Sequence, residues 1–569
     1  MGGTTPQVET DGSTSASASS AGPSGRESAG SEASSGSGSG ESSTGDAPPA
    51  IVECNDGIDN DGDGLVDWQF DMGCVGQGDL TEGGVATMEL EGGWTVFEPS
   101  ADTNIVYVSE SLGDDAFDGS APEPGPDGVG PVRSLALASS MVRSLSADWL
   151  LLRRGDQWQE GLGTWTASGR SPSEPVVIAS YGDSTDAPVL HGDMFLGGED
   201  GAAGGSDNVA LAHLRFENAG VSGLSGSNIL IEGCQFFQGA GAVIVEGADT
   251  KQNWSIRRNI ADRTSSNAIY VNGVTGALLE GNIVYRPAQQ EANHAMYITR
   301  RGNSDVAVHD NLIFMGKTTG NAIMLRPGGI ASGNVVVDYG WSGVSVGACD
   351  DGDGGPCFDP VDAIITGNVF LEGHAEIGTA IHLGDGFVLP GAEVTQNIVA
   401  GSNAESFNAL SLTSGTDGLI LEDNVFYNAT AVAIYGANRD MQWRNNVWKN
   451  NQHDAPLVAF FDPQSAVGLI AEGNTFFASA RAEDRWFELP TGDGGVADWQ
   501  ALSGEDAGSE DPQWVDENRS LSTYSASLGG EATSEAFMLE ALGQHKFAYR
   551  SEYGTAEIIA YFREGFRAR

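Results

Sequence analysis

Cationic and proton-transferring side chains are concentrated in one short window of an acidic chain. Residues 251–326 contain nine basic residues (Lys and Arg) and five acidic residues (Asp and Glu). The 569-residue chain contains 27 basic and 79 acidic residues and has a net charge of −52. Such a local excess of cations indicates an anion-binding site, although ordinary pairing with neighbouring acids is the alternative. His294 and Tyr297 lie in this window, and His, Tyr or Lys can act as a base in a cationic site because the site lowers their pKa values.

A repeated phrase indicates the elements that must position these side chains. Asn followed by apolar or β-branched residues recurs at intervals of 22 to 34 residues, at Asn259, Asn282, Asn311, Asn334, Asn368, Asn397, Asn424, Asn446 and Asn474. Repeats of this length are typical of a solenoid whose coils stack. An inward Asn at each bend would bond its own coil and the next Asn, which satisfies buried polar groups.

The segments between the Asn phrases alternate with period 2, which predicts half-buried strands. Aligning three of them places Asn267 beside His294 and Asn321, and Tyr270 beside Tyr297 and Met324. Asn272, Thr299 and Arg326 form a third column. The apolar residues between these columns are predicted to point inward as core: Ile269, Val271, Met296, Ile298, Ile323 and Leu325. We predict that the candidate catalytic residues converge on one outer face: His294, Tyr297, Lys317, Arg326 and Arg301. The candidate substrate-binding residues are Tyr270, Asn267, Asn272, Asn321, Arg263 and His382. His294 alone would equally fit a bend residue that replaces Asn.

The repeat resembles the right-handed parallel β-helix of the pectate-lyase-like superfamily, over roughly residues 103–510. The resemblance implies an all-β solenoid with short capping helices and a polysaccharide lyase that acts on uronic acids. Such a lyase neutralises the uronate carboxylate, removes the C5 proton and protonates the leaving O4. By this resemblance Arg301 and Arg326 would hold the carboxylate, and His294, Tyr297 or Lys317 would transfer protons.

Two other functions fit the same sequence. A calcium-stabilised surface protein that binds glycans or mediates adhesion would use exposed tyrosines as platforms for sugar rings. A glycoside hydrolase needs two carboxyl groups beside the scissile bond. For that reaction the chain offers a second cluster, which comprises His374, Glu376, His382 and Asp385.

An Asp-rich segment between Cys54 and Cys74 predicts a calcium site. Its alternating carboxylates could supply the several oxygens that Ca²⁺ requires, and they are Asp59, Asp61, Asp63 and Asp67. Phe70 stands where an EF-hand has its closing Glu, which argues against that helical motif. The segment resembles Asp-rich metal-binding motifs of exported bacterial proteins, which implies Ca²⁺ and a Cys54–Cys74 disulfide. A solvated acidic linker is the alternative.

A second Asp-rich loop lies between Cys349 and Cys357. A disulfide-closed loop is expected there in an exported protein, with a second calcium site on Asp350, Asp351 and Asp353. Cys234 is left over, and we interpret it as a buried free thiol where the Asn phrases begin.

The predicted organisation has four parts. They are a disordered Ser/Gly-rich linker (1–50), the Cys-bracketed calcium motif (51–97), the β-helix (98–510) and a flanking or capping segment with short helices (511–569). Helices are predicted over Ser134–Leu145, Ser534–Leu542 and Thr555–Phe562, the last with Thr555 as N-cap and Gly565 beyond its end. The acidity argues against nucleic acid as a partner, and no apolar run is long enough to span a membrane. We expect a monomeric bacterial protein, either secreted or a surface lipoprotein whose lipid anchor this sequence lacks, that binds an anionic polysaccharide.

Overall fold

The computed structural model describes residues 90–198, 206–246, 251–287, 293–299, 303–316, 320–347, 363–374, 378–384, 389–401, 408–413, 416–436, 438–462 and 464–568. Several predicted features lie outside these residues. They are the 1–50 linker, the aspartates of both calcium motifs, the disulfide cysteines of both loops, Arg301, Lys317, and Glu376 and Asp385 of the second cluster.

The described residues form a right-handed parallel β-helix, which confirms the predicted fold class. Three long sheets of 14, 13 and 14 strands run the length of the solenoid, and the chain visits them in the order A, B, C in each coil. Every neighbouring pair in the three sheets is parallel except the last pair of sheet C. Each coil therefore leaves its apolar inner face to be covered by its neighbours.

The strands contain two to seven residues. Sheet A comprises Ile105–Val108, Trp149–Arg153, Val176–Tyr181, Val209–Ala212, Ile229–Glu232, Lys251–Arg257, Val274–Glu280, Ser304–His309, Gly329–Ser332, Ala363–Thr366, Glu393–Thr395, Ile420–Glu422, Gln442–Arg444 and Ile470–Glu472. Sheet B comprises Gln157–Trp158, Val189–Leu190, Arg215–Glu217, Gln235–Phe237, Ile260–Asp262, Ile283–Tyr285, Leu312–Phe314, Val335–Val337, Val369–Leu371, Ile398–Ala400, Val425–Tyr427, Val447–Asn450 and Thr475–Ala478.

Sheet C comprises Gly163–Trp165, Met194–Leu196, Val221–Gly223, Val243–Val245, Ile269–Val271, Met296–Ile298, Ile323–Leu325, Ser342–Val346, Thr379–Leu383, Asn408–Leu412, Thr430–Ile434, Val458–Phe460, Phe487–Leu489 and Gly492–Gly494. Two short pairs complete the strands. Leu90–Glu91 forms an antiparallel hairpin with Trp94–Thr95, and Leu389–Pro390 pairs in parallel with Thr416–Asp417.

Alternating side chains of every sheet fill one continuous core. The sheet C residues predicted to point inward are all buried: Ile269, Val271, Met296, Ile298, Ile323 and Leu325. Their outward neighbours are more polar, as expected for strands with one solvated face. The outer face of sheet B differs, because a second apolar cluster covers it from Ile260 to Ala400.

The predicted Asn ladder is present at the bend between sheets A and B. Each Nδ2 from Asn259 to Asn446 donates to the Oδ1 of the next ladder Asn over 2.9–3.1 Å, and also to a carbonyl of a neighbouring coil. The residue before each ladder Asn has φ between 53° and 70°, a region that Gly, Asn and Asp tolerate best.

Both ends of the ladder have specific partners. At the start of the ladder, the buried, free Cys234 donates its backbone N–H to Asn259 Oδ1 at 2.9 Å. Burial raises the pKa of its thiol to about 12, so it stays protonated. At the last coil Asn474 Nδ2 donates to Glu505 Oε1 at 2.9 Å, and Glu505 Oε2 accepts from Trp499 Nε1.

Among the described residues five α-helices accompany the solenoid: α1 (Leu135–Met141), α2 (Val496–Ser503), α3 (Leu521–Ser527), α4 (Ser534–Ala541) and α5 (Thr555–Gly565). Helix α1 was predicted, begins after the N-cap Ser134, and covers the first coils. Helix α2 covers the last coil, where the buried Trp499 stacks on Trp443. For α5 the predicted ends need correction, since Gly554 and not Thr555 is the N-cap and Gly565 lies within the helix.

Helices α3 to α5 pack on the outer face of sheet B, so the C-terminal segment flanks the solenoid. The segment also reaches the hairpin Leu90–Thr95. Trp94 of this hairpin contacts His213 and Tyr549, with ring centroids 5.6 and 6.0 Å apart respectively. The hairpin was not predicted from the sequence.

Candidate functional site

An aromatic column lies on the outer face of sheet C. The register pairs Tyr270 with Tyr297, and Tyr297 with Met324, as the sequence alignment of the coils predicted. The rings of Tyr270 and Tyr297 lie edge to face with centroids 5.4 Å apart. Both tyrosines are half-buried, so part of each ring faces solvent.

His294 lies beside Tyr297, with ring centroids 4.8 Å apart. It occupies the predicted column between Asn267 and Asn321. The backbone N–H of His294 donates to Asn267 Oδ1 at 2.6 Å, and the ring Nδ1 of His294 accepts from the Asn321 backbone N–H at 3.1 Å. Burial, and secondly the charge of Arg326, lowers the pKa of His294 to about 4. The imidazole is therefore neutral near neutral pH.

The hydrogen bond at Nδ1 also fixes the tautomer of His294. Because Nδ1 accepts a hydrogen bond, the proton of the neutral ring lies on Nε2. His294 can then donate a hydrogen bond to a ligand but lacks a free lone pair for a base. Close approach of the coils here requires Gly320, since a Cβ at that position would lie 1.5 Å from the Asn293 carbonyl oxygen.

Arg326 supplies positive charge to this face. It follows the strand Ile323–Leu325, and its guanidinium carbon lies 5.2 Å from the centroid of the Tyr297 ring. We call Tyr270, His294, Tyr297 and Arg326 the sheet C cluster. It brings together an aromatic surface, a neutral hydrogen-bond donor, a phenol and a cation.

Polar side chains continue along both edges of the cluster. On one edge Thr299 Oγ1 donates to Asn272 Oδ1 at 2.8 Å, and Asn303 Nδ2 donates to the Thr299 carbonyl at 2.6 Å. On the other edge Ser342 Oγ hydrogen-bonds to Asn321 Oδ1. Asn267, Asn272 and Asn321 are therefore held within the solenoid's own hydrogen-bond network beside the cluster.

His382 occupies the same outward column as Tyr297 but lies three strands further along it, which corresponds to roughly 14 Å at the usual strand spacing. Its two ring nitrogens lie 3.0 Å from Ser345 Oγ and 3.1 Å from Thr413 Oγ1. Ser345 and Thr413 were missed from the sequence. The repeat register could have identified them, because Ser345 occupies the position of Tyr297 in its coil and Thr413 occupies the position of Thr299.

The described cations of the basic window do not form one continuous cationic surface. Lys251 is buried, Arg257 lies between Glu232 and Glu280 at 3.3 Å from each, and Arg286 pairs with Glu535 of α4. Arg263 lies in the bend after a sheet B strand and is held by Asp262 at 2.6 Å. Pairing with neighbouring acids, the alternative considered for the window, therefore accounts for Arg257, Arg263 and Arg286. Of the described cations of the window, Arg326 joins the cluster.

The described part of the sheet C face offers few ligands for a metal. No group of three or more His, Cys, Asp or Glu residues that could hold an ion occurs among the described residues. The outward positions from Tyr270 to Ser411 in the column of Tyr297 are Tyr270, Tyr297, Met324, Ser345, His382 and Ser411. None of these six carries the carboxyl group that a glycosidase requires.

No protein-family profile and no curated protein matches the sequence. Solved structures are similar at low identity. A mannuronic-acid-specific polysaccharide family 6 lyase from human gut microbiota is 11% identical with a TM-score of 0.39, and the match covers 75% of this chain and 95% of that one. A lacto-N-biosidase from Eubacterium ramulus is 16% identical with a TM-score of 0.28 over 71% and 67%. An alginate lyase from Paenibacillus is 15% identical with a TM-score of 0.24 over 61% and 91%. These likenesses concern the β-helix architecture alone.

Within the described residues no helix is both long and apolar enough to cross a membrane.

Proposed function

We propose that the outer face of sheet C binds an acidic polysaccharide and cleaves it by β-elimination. One observation carries the proposal: the sheet C cluster places a cation and a neutral imidazole against the same phenol, with Arg326 5.2 Å and His294 4.8 Å from the Tyr297 ring centroid. A carboxylate next to a removable proton is the substrate feature that this combination matches.

The proposed reaction moves one proton from C5 to O4 and breaks the C4–O4 bond. Arg326 pairs with the uronate carboxylate, which stabilises the negative charge that develops when the C5 proton leaves. Tyr297 in its phenolate form takes that proton, and its charge is offset by Arg326. The electron pair forms the C4–C5 double bond as the C4–O4 bond breaks, and the proton on Tyr297 passes to O4. His294 donates a hydrogen bond from Nε2 and is not the base.

The remaining predicted residues have supporting roles in this proposal. Tyr270 would stack on a sugar ring, and Asn267, Asn272 and Asn321 would shape the edges of the face. His382 would contact a more distant sugar unit, because it lies about three strand spacings from Tyr297. Arg301 and Lys317, which lie outside the described residues, keep their predicted roles in carboxylate binding and proton transfer, and Arg263 would contact substrate at the bend.

A non-catalytic glycan-binding protein is the second candidate. Tyr435 and Phe461 favour it, because their rings stack with centroids 4.5 Å apart while 43% and 49% of the two residues remain exposed. Exposed aromatic pairs of this kind can hold sugar chains without chemistry. The two candidates differ in whether the polysaccharide is cleaved.

The ultraviolet absorbance of the unsaturated uronate product tests the first candidate. The protein is incubated with a panel of uronic-acid polysaccharides, and we expect absorbance to rise for at least one. Arg326→Ala and Tyr297→Phe should each lower the rate by at least about a hundredfold, since each removes a group that acts in the transition state.

Matched controls separate chemistry from folding. Arg485→Ala removes a half-exposed Arg that pairs with Asp493, and Tyr549→Phe alters an exposed Tyr of the C-terminal segment. Both should retain the wild-type rate. Binding without product, in wild type and in Tyr297→Phe alike, would replace the lyase by the glycan-binding protein.

We also propose that Ca²⁺ binds the two Asp-rich segments of an exported protein. Calcium titration calorimetry of the full chain should show binding that the combined change of Asp59, Asp61 and Asp63 to Asn removes, since carboxylates supply the charge and oxygens that Ca²⁺ needs. The same change at Asp350, Asp351 and Asp353 should remove a second site. Unaltered calcium binding in both variants would contradict this proposal.

A further inference from the structure

A polar cavity of about 400 Å³ lies on the flank of the solenoid, away from the sheet C face. Its floor is the outer face of sheet B in the early coils, where Gln157, Val189, Arg215 and Gln235 stand side by side on successive strands. One wall is the chain after α4, from Leu542 to His545. Ile260 is the register partner of Gln235 on the next sheet B strand, and the apolar cluster that covers sheet B begins there.

Gln235 is the most informative residue of this cavity. It is only 8% exposed and lines the cavity. Its carboxamide makes no hydrogen bond to any residue in the described part of the chain, and its polar atoms are not fully enclosed, so a ligand in the cavity can reach them. The amide offers both donors and an acceptor. A ligand that presents alternating hydroxyl donors and acceptors would satisfy it.

Arg215 and Phe237 form a flat wall beside Gln235. The guanidinium carbon of Arg215 lies 4.0 Å from the centroid of the Phe237 ring. Glu217 fixes the guanidinium from the side, because its Oε1 accepts from Arg215 Nε at 2.9 Å and lies 2.6 Å from a terminal nitrogen. The Oε2 of Glu217 lies 3.9 Å from His191 Nδ1. The wall is thus held in place before any ligand arrives, which lowers the entropic cost of binding.

The charges around the cavity argue against an anionic ligand. The positive charge of Arg215 is already matched by Glu217, and Asp186 adds a further carboxylate. Burial lowers the pKa of His545, so this wall residue stays neutral near neutral pH.

We propose that this cavity is a second carbohydrate site, which binds a neutral oligosaccharide on the flank of the β-helix. A hydroxylated ring would hydrogen-bond to Gln235, Arg215 and Glu217 and lie against the flat wall. The site is separate from the sheet C face and does not depend on the reaction proposed there.

Titration calorimetry with neutral oligosaccharides tests the proposal. A panel of gluco-, manno-, xylo- and galacto-oligosaccharides is titrated into the full chain, with a uronate oligosaccharide for comparison. We expect at least one neutral sugar to bind with little dependence on salt. Gln235→Leu should weaken it by about tenfold or more, because it leaves ligand hydroxyls unpaired. Gln513→Leu, which changes an exposed Gln in the C-terminal segment, should leave binding unchanged.

Three further variants keep the result decisive. Gln157→Ala alters an exposed residue of the cavity floor and should weaken binding even if Gln235→Leu fails to fold. Arg326→Ala and Tyr297→Phe should leave this binding intact. No neutral sugar bound, binding unaffected by both cavity variants, or binding lost in the sheet C variants would each overturn the proposal.

Discussion

Each interior asparagine of the ladder satisfies several buried groups at once. Asn334 donates from Nδ2 to the Val308 carbonyl and to Asn368 Oδ1, and its Oδ1 accepts from both the backbone N–H and the Nδ2 of Asn311. All of these groups are enclosed by the core. A single side chain therefore prevents several donors and acceptors in three coils from being buried without partners.

Replacing Asn334 with Ala should be strongly destabilising. The change removes the acceptor of the Asn311 backbone N–H and side-chain amide and the Asn334 donor to the Val308 carbonyl, whereas Asn368 Oδ1 keeps the Asn334 backbone N–H. Each buried group left unpaired costs about 1–3 kcal/mol. We expect the free energy of unfolding in urea to fall by about 3 kcal/mol or more. Asn518→Ala, at an exposed position outside the ladder, should change it by less than about 0.5 kcal/mol. Equal effects of the two changes would show that the ladder is not a principal source of stability.

The sequence was informative about residues that repeat and uninformative about residues that do not. Asn334 could be placed because the same side chain recurs in every coil, and the column of Tyr270, Tyr297 and Met324 followed from the same register. The same register places Glu232 and Glu280 on either side of Arg257 in sheet A. The contact of Arg257 with the Gly93 carbonyl could not be found this way, because it forms only where a hairpin distant in sequence folds back onto sheet A.

Sheet B is covered on both faces over its middle coils. Its strands there read as continuous apolar runs, such as Val335–Val337, in which every residue is buried, as expected for strands enclosed on both sides. Helix α5 supplies part of the cover, and Phe562 of this helix is fully buried against it. The flanking helices therefore protect an apolar surface that would otherwise promote association.

Phe562→Ala should loosen the flank from the solenoid. Loss of a fully buried Phe typically costs about 3–5 kcal/mol, and we expect increased binding of a hydrophobic dye together with a lower unfolding temperature. Leu539→Ala on α4 is a suitable comparison, because Leu539 is 55% exposed and should be nearly neutral. An unchanged unfolding temperature for Phe562→Ala would mean that α5 adds little to the stability of the fold.

The helices that could be predicted from the sequence are those with a clear apolar periodicity. Helices α1, α4 and α5 have apolar side chains at helical spacing and were predicted to within a few residues. Helix α3 was missed because its sequence is rich in Ser, a residue that competes with the helical backbone. It is stabilised instead by a capping box between Ser520 and Thr523 and by packing of Leu521 and Tyr524. Helix α2 was missed because only Val496 and Trp499 of its residues are buried.

Enclosed histidines make the stability of the entire molecule depend on pH. Burial lowers the pKa of His213 to about 3 and that of His309 to about 4, from an ordinary value of 6.5. Between about pH 6.5 and 4 the unfolded chain binds protons that the folded chain excludes. Stability is therefore complete above pH 6.5 and falls as the pH decreases through this window.

His309→Gln should reduce this pH dependence. By linkage, the loss of stability between neutral pH and pH 5 should shrink by about 2 kcal/mol, measured from urea unfolding at both pH values. The comparison with wild type is needed because burial also raises the pKa of Glu232. That carboxyl takes up a proton in the folded state and acts in the opposite direction. An identical pH dependence in both proteins would show that His309 is protonated without unfolding.

The hairpin Leu90–Thr95 imposes an order of events during synthesis. Thr95 donates its N–H to Glu232 Oε2 at 3.0 Å, and the guanidinium of Arg258 lies 5.1 Å from the Trp94 ring. This hairpin leaves the ribosome well over a hundred residues before Glu232 and Arg258, the residues that it contacts. It can therefore dock only after the coils that carry Glu232 and Arg258 have been synthesised and have stacked. Tyr549 then covers Trp94 only when the last residues emerge. The nascent chain is thus closed at its flank by its final segment, and a chain truncated shortly before Tyr549 would carry an assembled solenoid with an open seam.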